Sequence, residues 1–191
     1  MFRALLDPEA EESFIIERAA QVLRLKRTPV SVPVTGVGSE TSGQAKSEVE
    51  VILRSPKDDT FFMPFSALVL PKLTNLLPRR KILAGDWPHL KGIELADPDC
   101  LVPSAIDCIL NAEVFASVML NGTLPGPAHA PTAQNTRIGW ILFGTASAAS
   151  NRPARQVTNC HLLAHPKYSQ PSVMSHYVRA YRPPNTRQRS H

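Results

Sequence analysis

Proline is unusually frequent in this chain and limits the folds that it can adopt. The 191 residues include 18 prolines, which is roughly twice the ordinary share of ~5%. A proline inside a helix removes a backbone hydrogen bond and clashes with the preceding turn. We therefore expect a mostly β protein with a minor helical part, and not a helical bundle.

The distribution of charge divides the chain into a domain and a tail. The length bounds it at one domain, or one domain plus a tail, and a content of 43% apolar residues is typical of a globular protein. All acidic residues lie at or before Glu113, whereas the last 41 residues contain seven arginines and lysines and no acid. We predict a domain at residues 1–150 and a basic, proline-rich, disordered tail at residues 151–191.

The cysteines indicate the compartment and argue against a metal site. Cys100, Cys108 and Cys160 form no Cys-x2-Cys pair, and their odd number is typical of reduced thiols in an intracellular protein. A structural zinc needs four ligands at recurrent spacings, which Cys160-His161 with His165 does not supply.

No apolar run approaches the ~18 residues of a membrane span. We predict a cytoplasmic protein with no metal, no cofactor and no membrane contact.

The spacing of apolar residues predicts the order of helices and strands. Helical spacing predicts one long helix at residues 11–25. Alternation with period two predicts strands at residues 30–34 and 48–53, joined by a glycine-containing loop. The remaining predictions are one or two strands at residues 60–70, a covering loop with a helical turn at 71–98, a strand at 105–110, a short helix at 112–120 and a last strand at 136–143.

Asp7 follows a short apolar strand, which is where aspartic proteases carry a catalytic carboxylate. Their mechanism needs two carboxylates that share a proton, one acting on water and the other on the carbonyl oxygen. A chain with one such strand must therefore pair with a second copy about a two-fold axis. Helix capping is a competing interpretation, because Asp7 at the N-cap, Pro8 at the first helical position and Glu9 in the first turn would start a helix well.

Several segments of the chain resemble one protein family. Arg3-Ala4-Leu5-Leu6-Asp7, followed by Ser13-Phe14-Ile15-Ile16-Glu17, resembles the retropepsin-type aspartic peptidase domain of Bel/Pao LTR retrotransposon polyproteins. The resemblance continues in the same order to about residue 161. Its further segments are residues 32–38, 67–71, 87–90, 95–98, 106–113 and 133–144.

The resemblance implies a retropepsin-like closed barrel, truncated at its N-terminal side, that works as a homodimer on a polypeptide substrate without a cofactor. It makes Asp7 the catalytic residue. It makes residues 35–46 a flap that closes over the substrate, with Gly36, Val37 and Gly38 as the substrate-binding residues. It also implies that residues 109–113 lie behind the active-site loop.

The chain departs from the family pattern around Asp7. Asp7-Pro8-Glu9 stands in place of Asp-Ser-Gly or Asp-Thr-Gly, so a hydroxyl donor and a glycine that allows close backbone approach are both replaced. Asn111 and Glu113 stand where the family carries Gly and Asp. Two functions stay open, an aspartic endopeptidase and a catalytically inactive interaction module or retroelement remnant. A third, nucleic-acid association, would rest on the arginines and tyrosines of the basic tail.

Overall fold

The computed structural model describes residues 2–35 and 41–146, together with the backbone of two short strands at residues 173–174 and 176–180. Strands include far more of the described residues than the two short helices do, which confirms the predicted mostly β class. The elements are β1 (Phe2–Leu6), β2 (Phe14–Ile16), α1 (Glu17–Val22), β3 (Arg27–Thr35), β4 (Thr41–Arg54), β5 (Phe62–Leu70), a 3-10 turn (Pro88–Leu90), β6 (Cys108–Leu110), α2 (Ala112–Val118), β7 (Met119–Leu124), β8 (Thr132–Thr136), β9 (Ile141–Thr145), β10 (Val173–Met174) and β11 (His176–Ala180).

The larger sheet has seven strands in the order β11-β1-β6-β2-β5-β4-β3. Its centre contains two parallel pairs, β1 with β6 and β2 with β5, and all its other pairs are antiparallel. In the β1–β6 pair Leu6 lies opposite Leu110, so the two strands end at the same edge of the sheet. The residues that follow these strands are thereby brought together.

The smaller sheet has four strands in the order β10-β9-β8-β7. A bridge between Leu95 and Trp140 connects the long loop that precedes β6 to the segment before β9. Gly139 makes this approach possible, since its φ is +119° and a Cβ there would lie 2.9 Å from the backbone of Ala96. A glycine at this turn therefore lets the loop pack against the sheet.

Side chains from the two faces of β1 and β6 enter two apolar clusters. Leu6 and Leu110 belong to the first cluster, together with residues of α1 and α2. Leu5 and Ile109 belong to the second cluster, with residues of the long loop and of β9. Because successive side chains of a strand point to opposite faces, two adjacent strands hold both clusters together.

The predicted long helix at residues 11–25 is wrong in extent. Residues 14–16 form β2, which pairs with β5 and β6, and the helix α1 has only six residues. Ile15 is buried in the first cluster from its position in β2. Tertiary pairing with two neighbouring strands thus overrides the helical spacing of the apolar residues.

The predicted strands at residues 30–34 and 48–53 are confirmed as parts of an antiparallel hairpin, β3 and β4. Residues 60–70 contain one strand, β5. Pro64 pairs with Ile52 of β4, and β2 pairs only with residues 68–70 of β5. The missing N–H of Pro64 is therefore not needed for a hydrogen bond to β2.

One further prediction for local structure is corrected, one strand was not predicted, and two predictions are confirmed. The single strand predicted at residues 136–143 is wrong, because β8 ends at Thr136 and β9 begins only at Ile141 after a turn. The strand β7, which directly follows α2, was not predicted. The short helix near residues 112–120 and the helical turn in the long loop are confirmed.

The predicted closed barrel differs from the described structure. The seven-stranded sheet is open, with β11 at one edge and β3 at the other. Pro29 and Pro33 lie in β3 and lack the N–H that further pairing would use. Within the predicted tail, residues 173–174 and 176–180 form the strands β10 and β11, and the disorder of the tail stays a prediction. The domain boundary at residue 150 stays a prediction.

Candidate active site

Asp7 lies directly after β1, beside the end of the parallel strand β6. Its backbone N–H donates to the carbonyl oxygen of Leu110 at 2.9 Å, which extends the β1–β6 pairing by one step. The residue is 7% exposed. The pairing thus fixes the backbone of Asp7 at the end of β1 and places this residue next to Asn111, the first residue after β6.

The carboxylate of Asp7 holds a local turn. Its Oδ1 accepts the backbone N–H of Glu9 at 3.0 Å, and its carbonyl oxygen accepts the N–H of Ala10 at 3.3 Å. Aspartate commonly bonds the amide two residues ahead in this way. The helix-capping interpretation is wrong, because α1 begins ten residues later and the residue before it, Ile16, provides no side-chain cap.

Asn111 connects the loop after Asp7 to the start of α2. Its Oδ1 accepts the N–H of Val114 at 3.2 Å, so it is the N-cap of this helix. Its Nδ2 donates to the carbonyl oxygen of Glu11 at 3.1 Å, and its backbone N–H donates to Oγ of Ser13 at 3.1 Å. One residue therefore caps α2 and contacts the loop at two places.

The predicted flap lies in the β3–β4 hairpin. Thr35 pairs with Thr41, and Val34 pairs with Gly43. Gly36, Val37 and Gly38 lie outside the described residues. The hairpin around them is confirmed, whereas their contact with substrate stays a prediction.

A buried arginine supports β1, and the sequence reasoning did not single it out. Arg3 is 7% exposed, and its Nε lies 2.7 Å from Oδ2 of Asp97, whose side chain is fully buried. The guanidinium also donates to the carbonyl oxygens of Leu77, Val102 and Asp99 at 2.7–3.1 Å. A charged residue within an apolar strand was the signal available in the sequence.

Asp107 joins this arginine to the surface. Its Oδ2 accepts the backbone N–H of Arg3 at 3.0 Å, and its Oδ1 lies 2.6 Å from the guanidinium of Arg18 in α1. A cleft of about 410 Å³ opens beside these groups. Its lining consists of Phe2, Arg3, Asp99, Val102, Pro103, Ser104 and Asp107, and does not include Asp7.

The two described cysteines are unsuited to nucleophilic chemistry. Cys100 and Cys108 are free and buried. Burial raises the pKa of each thiol to about 12, with a smaller contribution from Asp97 beside Cys100 and from Asp107 beside Cys108. Cys160, His161 and His165 lie outside the described residues. Elsewhere in the described parts of the chain, no group of three or more His, Cys, Asp or Glu side chains is arranged to hold a metal ion.

Asp7 is thus a buried acid at the carboxyl end of β1. Within residues 2–35 and 41–146, no helix is long and apolar enough to cross a membrane. Comparisons of the chain with protein-family models, with curated proteins and with solved structures find no match.

Proposed function

We propose that this chain is an aspartic endopeptidase of the retropepsin type, which hydrolyses peptide bonds as a homodimer. The observation that carries the proposal is the placement of Asp7. Its carboxylate is largely buried at the carboxyl end of β1, beside the parallel strand β6. A strand that ends in an acid and is held on both sides by backbone pairing gives that acid a defined position.

The proposed chemistry uses one Asp7 from each of two chains. One carboxylate removes a proton from water, and the water oxygen attacks the peptide carbonyl carbon. The other carboxyl group donates its proton to the carbonyl oxygen, which gives a tetrahedral intermediate. Collapse of this intermediate breaks the C–N bond as the amine accepts a proton. Gly36, Val37 and Gly38 would cover the substrate from the hairpin.

A cleavage assay with a matched pair of variants tests the proposal. The purified chain is incubated with a mixed peptide library at mildly acidic pH, and the products are identified by mass spectrometry. We expect cleavage by the wild-type chain, none by Asp7→Asn, and wild-type cleavage by Asp59→Asn, since Asp59 is exposed and remote in sequence from Asp7. Cleavage that persists in Asp7→Asn would refute the assignment.

A second candidate function is a catalytically inactive interaction module. The observation that favours it is the hydrogen bond from the Glu9 amide to Asp7, which engages one carboxylate oxygen within its own chain. Pro8 offers no donor to a facing loop. Sedimentation analysis together with the cleavage assay separates the two candidates. A chain that forms a dimer and cleaves no peptide at any pH would support the inactive module.

A further inference from the structure

We propose that Asn111 is a positioning residue that braces the Asp7 loop, defined as residues 8–13, from within the same chain. The role of this brace in catalysis rests on the proposed peptidase function. The brace itself consists of hydrogen bonds between this loop and the start of α2. These bonds can be measured whether or not the chain cleaves peptides.

Asp7 and the loop that follows it are attached to the β6–α2 junction at four points. The first is the N–H of Asp7, which donates to Leu110. The N–H of Ala112 donates to the carbonyl oxygen of Ala10 at 3.1 Å. The other two points are the bonds from Asn111 to Glu11 and to Ser13. Three consecutive residues of the junction thus hold Asp7 and the loop at residues 10, 11 and 13.

The far end of the loop is also attached to the sheet. Ser13 is 1% exposed, and its carbonyl oxygen accepts the N–H of Leu68 in β5 at 2.9 Å. Its Oγ accepts the backbone N–H of Asn111. The loop is therefore held between β5 on one side and α2 on the other, with Asp7 at its start.

The side chain of Asn111 makes one contact that an aspartate cannot make. An amide both accepts and donates, whereas an ionised carboxylate only accepts. Asn111 uses its oxygen on Val114 of the helix and its nitrogen on Glu11 of the loop. Replacement by aspartate would keep the helix cap and remove the bond to the loop.

The brace does not require a second chain. Pro8, the residue after the candidate catalytic acid, has neither a hydroxyl nor a backbone N–H. All four attachments of Asp7 and its loop are hydrogen bonds within one chain. We infer that the position of Asp7 is set in each subunit before two subunits meet.

Hydrogen exchange of Asn111→Asp tests the brace without reference to activity. We expect the amides of Glu9, Ala10 and Ala112 to exchange about 3- to 10-fold faster, since one hydrogen bond is lost. The amide of Val114 should keep its wild-type protection because aspartate caps helices as well as asparagine. Asn135→Asp is the matched control, because the Asn135 amide donates to the Asn121 carbonyl oxygen in the smaller sheet. It should leave the loop unchanged.

Two outcomes would overturn the brace. One is wild-type exchange in the loop of Asn111→Asp, and the other is loop protection that disappears on dilution of the wild-type chain below its dimerisation range. If Asn111→Asp fails to fold, Asn111→Ser is measured instead, because serine is also a good cap and lacks the amide donor.

Steady-state kinetics of the same variants test whether the brace contributes to catalysis. We expect Asn111→Asp to lower kcat about 10-fold or more at a nearly unchanged KM, because misplacing a catalytic group affects the chemical step. Unchanged kcat together with faster loop exchange would refute the positioning role. Absence of cleavage by the wild-type chain would instead refute the proposed function, and the exchange data would still decide whether the brace exists.

Discussion

At the scale of single residues, the position of Asp7 could be predicted and its bonding could not. Apolar residues up to Leu6 predict a strand that ends at an acid. The turn to the Glu9 amide competes with helix capping in the sequence, since an aspartate accepts backbone N–H groups in both. A charged residue within an apolar strand is a local signal for the burial of Arg3, but its partners lie 74 to 99 residues away in the sequence, so the local pattern could not identify them.

The buried ion pair between Arg3 and Asp97 should be important for stability. Asp97→Asn leaves the guanidinium buried without its counter-charge, and we expect a loss of about 3 kcal/mol in the free energy of unfolding. Urea denaturation measures it. The control is Asp86→Asn, because Asp86 and Lys91 are 3.7 Å apart and both highly exposed. That change should cost less than about 0.5 kcal/mol, and equal effects of the two substitutions would contradict the assignment.

The buried thiols of Cys100 and Cys108 should be nearly unreactive in the folded protein. A rise in pKa from 9.0 to about 12 lowers the thiolate fraction about 1000-fold at neutral pH. In a Cys160→Ser variant, which leaves these two thiols, a disulfide reagent should react slowly in buffer and at the usual rate of a free thiol in urea. Fast labelling in buffer would show that these cysteines are not held in the apolar clusters.

At the scale of elements, pairing between distant strands decided what periodicity left ambiguous. The segment at residues 14–16 carries apolar residues that suit a helix or a strand, and hydrogen bonds to β5 and β6 make it a strand. The hairpin of β3 and β4 was predictable because its alternation and its glycines are local signals. The short strand β11 was not, since its partner β1 lies at the other end of the chain.

Pairing of β11 with β1 predicts different effects of two truncations. Deletion after residue 170 removes β10 and β11, and five residues of β1 lose their antiparallel partners. We expect a loss of about 2 kcal/mol or more, since each net backbone hydrogen bond contributes ~0.5–1.5 kcal/mol. Deletion of residues 181–191 keeps both strands and should leave the thermal midpoint unchanged. Equal thermal midpoints for the two truncations would mean that β11 contributes nothing to the sheet.

At the scale of the whole molecule, Asp7 is the candidate catalytic acid of the proposed peptidase. Both apolar clusters meet at β1 and β6, so the acid is attached to the best-buried part of the described structure. A peptidase of the proposed type requires the same acid from a second copy, and a two-fold axis that passes close to Asp7 would bring the two acids together.

Mixing of subunits tests this requirement. A roughly tenfold excess of Asp7→Asn chains should lower the activity of each wild-type chain about tenfold, because most wild-type chains would then be in mixed dimers with one carboxylate. The same excess of Asp59→Asn chains should not lower it. An activity that is insensitive to the Asp7→Asn chains would indicate a site made by one chain.

The sequence by itself determined the β class of this protein, its hairpin and the place of an acid at the end of its first strand. These features depend on neighbouring residues, whose spacing and turn chemistry are visible in the chain. Only the tertiary structure decided that residues 14–16 are a strand, that Arg3 is buried against Asp97, and that Asn111 contacts the loop after Asp7. Each of these depends on hydrogen bonds or burial between residues far apart in the sequence, and a single sequence does not show which distant residues are in contact.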